Sequence, residues 1–131
     1  MRSILAVDDS ASMRKMVSFT LTGAGYHVVE AVDGEAALNL VIGQAAAGTP
    51  IELIISDWNM PKMTGLEFLK QIRASDQFSK MPFVLLTSES ERDQVTEAIM
   101  AGVSQYVVKP FAAKAFEEKL KVVWTKFSQG A

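Results

Sequence analysis

The chain contains no cysteine and a single histidine, His27. Disulfide scaffolds, thiolate metal sites and thiol catalysis are therefore excluded, and no imidazole cluster exists to hold zinc. The absence of cysteine suits a reducing compartment. No run of about 18 apolar residues occurs, so a membrane-spanning helix is not expected. The apolar run Ile4 to Val7 stops at Asp8 and Asp9, too short for the core of a signal peptide. There is no basic excess either: 13 Lys+Arg stand against 15 Asp+Glu, a formal net charge of −2, which argues against a nucleic-acid binder. No GxxxxGK[ST] loop is present. Gly23-Ala24-Gly25 fails as a dinucleotide fingerprint, because Val28 takes the last glycine position and no strand precedes it. No internal repeat or linker interrupts the chain.

What is present is an ordinary globular composition: 131 residues, 49% hydrophobic and 21% charged. That length fits one domain with a sizeable core. Short apolar runs alternate with segments of helical period. Residues 3–7 (SILAV), 27–31 (HVVEA), 51–56 (IELIIS), 82–86 (PFVLL) and 105–108 (QYVV) read as strands. Residues 12–22 carry Met13, Met16, Val17 and Leu21 at helical spacing, with Gly23 as the stop. Asp33 is placed to cap a helix over 34–47, and GQAAAG at 43–48 reads as its frayed end running into a loop. Leu66, Leu69 and Ile72 form the stripe of a third helix, with Lys70 and Arg73 on its polar side. A fourth covers 91–101 before Gly102. A fifth covers 113–127, with Phe116, Leu120, Val123, Trp124 and Phe127 on one side.

Five β-then-α units predict an α/β fold with a five-stranded parallel sheet and helices on both faces. The strands at 3–7, 51–56 and 82–86 are near-continuously apolar, as central parallel strands are. The strands at 27–31 and 105–108 are more polar and suit edges. The common doubly wound, flavodoxin-like order 2-1-3-4-5 fits that division, and its ligands bind beyond the strand C-termini where the first and third strands meet.

Asp8 and Asp9 end the first strand, Asp57 ends the third, Thr87 follows the fourth and Lys109 ends the fifth. All of these polar residues meet on one rim. Three carboxylates and one lysine leave a formal −2 in the crevice. Like charges at that separation raise one another's pKa unless a cation relieves them. All-oxygen donors suit Mg²⁺. A carboxylate can attack phosphorus to form an aspartyl-phosphate. Lys109 and a metal would offset the charge on the transferring group, and the Thr87 hydroxyl could bond a phosphoryl oxygen.

The pair DD at 8–9, SDWNMP at 56–61, Thr87 and YVVKPF at 106–111 resemble the receiver domain of two-component response regulators. GLE at 65–67 and EEKL at 117–120 extend the resemblance toward that family's single-domain chemotaxis members. It covers essentially the whole chain. The family has the 2-1-3-4-5 order, so that order is not independent support. The resemblance implies that Asp57 is the phosphoacceptor. It implies that Asp9 ligates Mg²⁺ directly, Asp8 largely through water, and that Asp57 and the main-chain carbonyl of Asn59 are further ligands. Lys109 would pair with the phosphoryl group. Thr87 and Tyr106 would form the switch pair. Asn59 and Glu89 occupy positions where the family tunes phosphoryl lifetime, and Ser88 one kept small for access. Arg92, Val95, Tyr106 and Lys119 would lie on the output surface. A cis Lys109–Pro110 bond is also implied.

The segment 88–100 carries a net −3 and 109–131 a net +3. Solvated helix faces are the ordinary meaning of such runs. Trp58 reads as a partly exposed aromatic beside Asp57, His27 as a surface residue on an edge strand, and the methionines as core or loop filler. Ala112 offers a weak cap to the last helix, and the loop at 43–50 is longer than is usual in the chemotaxis members. The resulting expectation is a single receiver domain over 1–131 with no effector domain, cytoplasmic and monomeric, a phosphoacceptor rather than an enzyme. It would take its phosphoryl group from a sensor histidine kinase, meet a phosphatase, and act on the flagellar motor switch protein. Three alternatives stand beside it. One is a receiver serving as a phosphate sink or regulator outside chemotaxis. Another is an aspartyl-phosphate hydrolase, although such enzymes usually carry D-x-D rather than adjacent D-D. The third is an FMN binder, which Asp8 and Asp9 would repel.

Overall fold

The computed structural model describes residues 2–60, 62–88, 95–109 and 111–130. The elements are β1 (Ser3–Val7), α1 (Ala11–Gly23), β2 (His27–Ala31), α2 (Gly34–Ala46), β3 (Leu53–Asp57), α3 (Gly65–Ala74), β4 (Phe83–Thr87), α4 (Val95–Met100), β5 (Gln105–Val108) and α5 (Ala113–Gly130). The five strands form one parallel sheet in the order β2-β1-β3-β4-β5. The polar strands are the edges, as expected.

Each face of the sheet has its own core. Side chains alternate along a strand, so Leu5, Ile54, Phe83 and Leu85 pack with α2, α3 and α4, around Phe68, Leu69, Ile72 and Ala98. Ile4, Ala6, Leu53, Ile55, Val84, Leu86 and Val107 pack with α1 and α5, around Val17, Leu21, Phe116, Leu120 and Trp124. Phe127 continues α5, but its side chain lies outside the described set.

Local chemistry sets the ends of the elements. The Asp33 carboxylate accepts from the Ala36 N–H at 2.8 Å and caps α2 as expected. Thr64 and Glu67 form a reciprocal capping box on α3. Helix α1 ends on Gly23, one residue later than predicted. The turn is made by Gly25, whose φ of 95° is costly for any residue with a Cβ. Strands β3 and β4 lie slightly later than predicted, because pairing continues through Asp57↔Leu86 and Thr87↔Val108. Asp57 and Thr87 are thus last residues of strands. Helix α4 is described only from Val95, so the expected start at Glu91 lies outside the described residues, as do Glu89, Arg92 and Pro110.

Three expectations are corrected. Trp58 is 5% exposed rather than partly exposed: it packs in the core of the α2, α3 and α4 layer, and its carbonyl accepts from the Gly65 N–H at 2.8 Å. Arg73 is not on a solvated face. Its guanidinium donates to the carbonyls of Gly102 (2.9 Å) and Met81 (2.7 Å), clipping α3 to two loops. Met16, read as part of the helical spacing of α1, is 45% exposed, whereas Met60 is buried and Met63 and Met81 pack against the core as expected.

Candidate metal and phosphoryl site

Strand endings assemble the site. β1 and β3 are neighbours, so their last residues deliver Asp8, Asp9 and Asp57 to one point. One carboxylate oxygen from each lies within 4.8 Å of the others. Asp8 and Asp57 are buried while Asp9 is exposed. β5 brings Lys109, whose Nζ donates to Asp57 Oδ1 at 2.7 Å. The main chain ties this lysine in place too, its N–H donating to the Thr87 carbonyl at 2.7 Å.

Asp8 is held in a taut turn. Its Oδ1 accepts from the Ser10 N–H at 2.8 Å, and its own N–H donates to the Ala31 carbonyl at 3.2 Å. Burial pushes its carboxyl above the usual range. The charges of Asp57 and Asp9 add to that push, while the Ser10 N–H and Lys109 oppose it. Its Oδ2 is buried and has no hydrogen-bond partner among the described residues. An orphaned carboxylate oxygen among three acids is an environment short of a cation. The donors are all oxygen, which fits Mg²⁺.

Thr87 is fully buried, and its Oγ1 also lacks a partner among the described residues. Leu85 pairs with Tyr106 across β4 and β5, so Thr87 and Tyr106 share the sheet face that looks toward α3 and α4. The Tyr106 ring packs against that layer's core. Lys119 Nζ donates to the Tyr106 carbonyl at 3.0 Å and lies 5.4 Å from its ring centroid. Tyr106 and Lys119 are therefore brought together. Asn59 is exposed in the loop after β3, and Ser88 is half-buried just past β4. Val95, expected on the output surface, is instead 8% exposed and packs inward, while α4 turns Ile99 and Met100 to solvent. Glu89 and Arg92 lie outside the described residues.

Two residues near the site escaped the sequence reading. Gly65 opens α3 beneath Asp57, and a Cβ there would collide with the Asp57 carbonyl and come within 2.9 Å of Leu85 Cδ2. Arg14 Nη1 donates to the Asp8 carbonyl at 2.7 Å while its Nε bonds Glu30 at 3.0 Å. The available signal was Glu30. It shares strand parity with Val28, which packs toward the α1 layer, so an inward glutamate there needs a cation.

The site is a doubly wound sheet with three acids and a lysine converging on its C-terminal rim. Residues 4–121 match the response regulator receiver domain, and the chain belongs to that family. It is 40% identical over 121 residues to chemotaxis protein CheY1 of Helicobacter pylori, covering 92% of this chain and 94% of that one. It is 38% identical over 124 residues to chemotaxis protein CheY of Pseudomonas aeruginosa, covering 94% and 96%. Among solved structures, chemotaxis response regulator CheY4 of Vibrio cholerae superposes with a TM-score of 0.80 at 42% identity, over 94% of this chain and 98% of that one. Among the described residues, no helix is long and apolar enough to cross a membrane.

Proposed function

We propose that this chain is a chemotaxis response regulator that accepts a phosphoryl group on Asp57 from a sensor histidine kinase. The observation that carries the reading is the convergence of Asp8, Asp9 and Asp57 on one point with Lys109 already on Asp57 at 2.7 Å. In the transfer an Asp57 carboxylate oxygen forms a bond to phosphorus. The P–N bond of phosphohistidine breaks, and its electron pair returns to the imidazole. Lys109 stays beside the acceptor and offsets charge on the phosphoryl oxygens. Mg²⁺, held by Asp9, Asp57, the Asn59 carbonyl and, through water, Asp8, would supply further charge neutralisation when bound. The buried Thr87 hydroxyl, which has no partner among the described residues, takes a phosphoryl oxygen as its partner, and Tyr106 on the same sheet face responds to that movement. Asn59, Glu89 and Ser88 set how long the phosphoryl group persists.

The readout is contact. Tyr106 and Lys119, with Arg92, form a surface for the flagellar motor switch protein, in keeping with the chemotaxis relatives; a phosphatase resets the cycle. The protein works in the cytoplasm as a monomer, a phosphoacceptor rather than a turnover enzyme.

Trp58 is buried beside Asp57 and reports on the site. With Mg²⁺ and a small acyl phosphate, the wild type is expected to change its fluorescence and gain one phosphoryl group by intact mass. Asp57→Asn is expected to do neither. Trp124 is a second emitter, so Trp58→Phe serves as the control. Equal responses of wild type and Asp57→Asn would refute the assignment. Phosphorylation should also strengthen binding to a motor-switch peptide; no gain would leave a phosphate-sink role instead.

A further inference from the structure

We infer that Arg14 is a positioning residue for the metal site, acting through the main chain of Asp8; this deepens the reading just given and rests on it. Arg14 lies in the first turns of α1 and its side chain is 15% exposed. Its fork makes two bonds in different directions. Nη1 donates to the Asp8 carbonyl at 2.7 Å, and Nε donates to Glu30 Oε1 at 3.0 Å. Glu30 is anchored in β2, and its other oxygen lies 3.6 Å from Lys15 Nζ. The guanidinium therefore bridges a fixed edge strand to the peptide that joins Asp8 to Asp9.

That peptide has few degrees of freedom left. The Asp8 N–H is tied to Ala31, the Asp8 side chain to the Ser10 N–H, and the Asp8 carbonyl to Arg14. The carbonyl bond fixes the plane of the Asp8–Asp9 peptide, and with it the direction in which the Asp9 carboxylate leaves the strand. Asp9 is exposed and lacks the packing that holds Asp8, so the backbone is what aims it.

A guanidinium near three carboxylates could instead act by charge, as a competitor of a metal cation. Glu30 offsets much of that charge: its Oε1 takes the guanidinium at 3.0 Å, and its Oε2 is shared with the exposed Lys15, so what Arg14 chiefly brings to the rim is a rigid donor fork. The two roles predict opposite outcomes. If Arg14 acts by charge, removing it tightens Mg²⁺ binding. If it acts by position, removing it loosens Mg²⁺ binding.

The test is Mg²⁺ affinity of the unphosphorylated full chain, by calorimetric titration and Trp58 fluorescence, well below the melting temperature. Arg14→Met is expected to lower the affinity about tenfold, the scale of losing a partner that orients a metal ligand. Arg14→Lys, which keeps charge but not the fork, is expected to fall between the two. A merely structural arginine would lower the melting temperature and leave the affinity of the folded protein unchanged. Unchanged or tighter binding by Arg14→Met overturns the inference while the receiver reading survives. If Arg14→Met fails to fold, Arg14→Lys decides alone: weaker Mg²⁺ binding supports the inference, and binding equal to wild type overturns it. A wild type that binds no Mg²⁺ overturns the metal-dependent reading and this inference with it.

Discussion

Thr87 is a residue whose cost and use are in conflict. A buried hydroxyl without a partner destabilises a fold by about 1–3 kcal/mol relative to a satisfied or apolar replacement. Thr87 is fully buried and its hydroxyl has no partner among the described residues. Thr87→Val keeps the shape and removes the unsatisfied group, so it is expected to raise stability to denaturant by about 1 kcal/mol. The same variant should still take a phosphoryl group on Asp57 but lose the phosphorylation-dependent gain in partner binding. A variant less stable than wild type would show that the hydroxyl is satisfied in solution. The same trade, local stability given up for a group that must react, is seen in Asp8, whose carboxyl is raised by burial and whose Oδ2 is left unpartnered.

Helix α3 is the element on which Asp57 depends indirectly. It begins under the end of β3, and its first residue, Gly65, leaves room for the Asp57 carbonyl. The capping box fixes that start: the Glu67 N–H donates to Thr64 Oγ1 at 3.1 Å, and the Thr64 N–H donates to Glu67 Oε1 at 3.0 Å. Thr64→Ala is expected to lower stability at neutral pH by about 1 kcal/mol in chemical denaturation. The cap also carries a pH signature. The Thr64 N–H, then its hydroxyl, hold the Glu67 carboxyl below its usual range. A carboxylate depressed in the folded state stabilises the fold above its ordinary pKa, and that contribution disappears as pH falls through the depressed value. The stability difference between wild type and Glu67→Ala should therefore narrow in acid. A difference that stays constant down to low pH would remove Glu67 from the account.

At the scale of the whole molecule, three carboxylates share one rim with a single lysine, and their repulsion opposes folding where no further cation relieves it. Mg²⁺ bound only by the native state should raise stability by RT ln(1 + [Mg²⁺]/Kd), about 2.7 kcal/mol at a hundred times Kd. Chelation is expected to lower the melting temperature of the wild type and have a much smaller effect on Asp9→Asn. Much of this architecture was legible beforehand. The alternation of apolar runs and helical stripes gave the sheet, and the polar residues Asp8, Asp9, Asp57, Thr87 and Lys109 stood out because each interrupts an apolar run where it leaves the sheet. Less visible were features that depend on a chain segment returning from elsewhere. Trp58 is buried because the core of the α2, α3 and α4 layer extends past the end of β3, which no local pattern encodes. Arg73 looked like a solvated charge because its acceptors, the carbonyls of Met81 and Gly102, carry no side-chain signal. Arg14 was overlooked for the same reason, since its target is a main-chain oxygen. Val95 was set on the outside by resemblance, whereas the packing of α4 turns it in.

The sheet separates two cores that share no side chain. Asp8, Asp57 and Lys109 follow the strand parity of the α1 and α5 layer, whereas Thr87 and Tyr106 follow that of the opposite layer. In the proposed reading, chemistry at the strand tips is sensed by residues on the opposite face of the sheet. One consequence is evolutionary. Substitutions in α1 can retune the rim while leaving the proposed reading surface of Tyr106 and Lys119 intact, whereas α5 carries Lys119 and is bound to both. A lineage carrying several copies of such a gene could vary α1 and that surface separately.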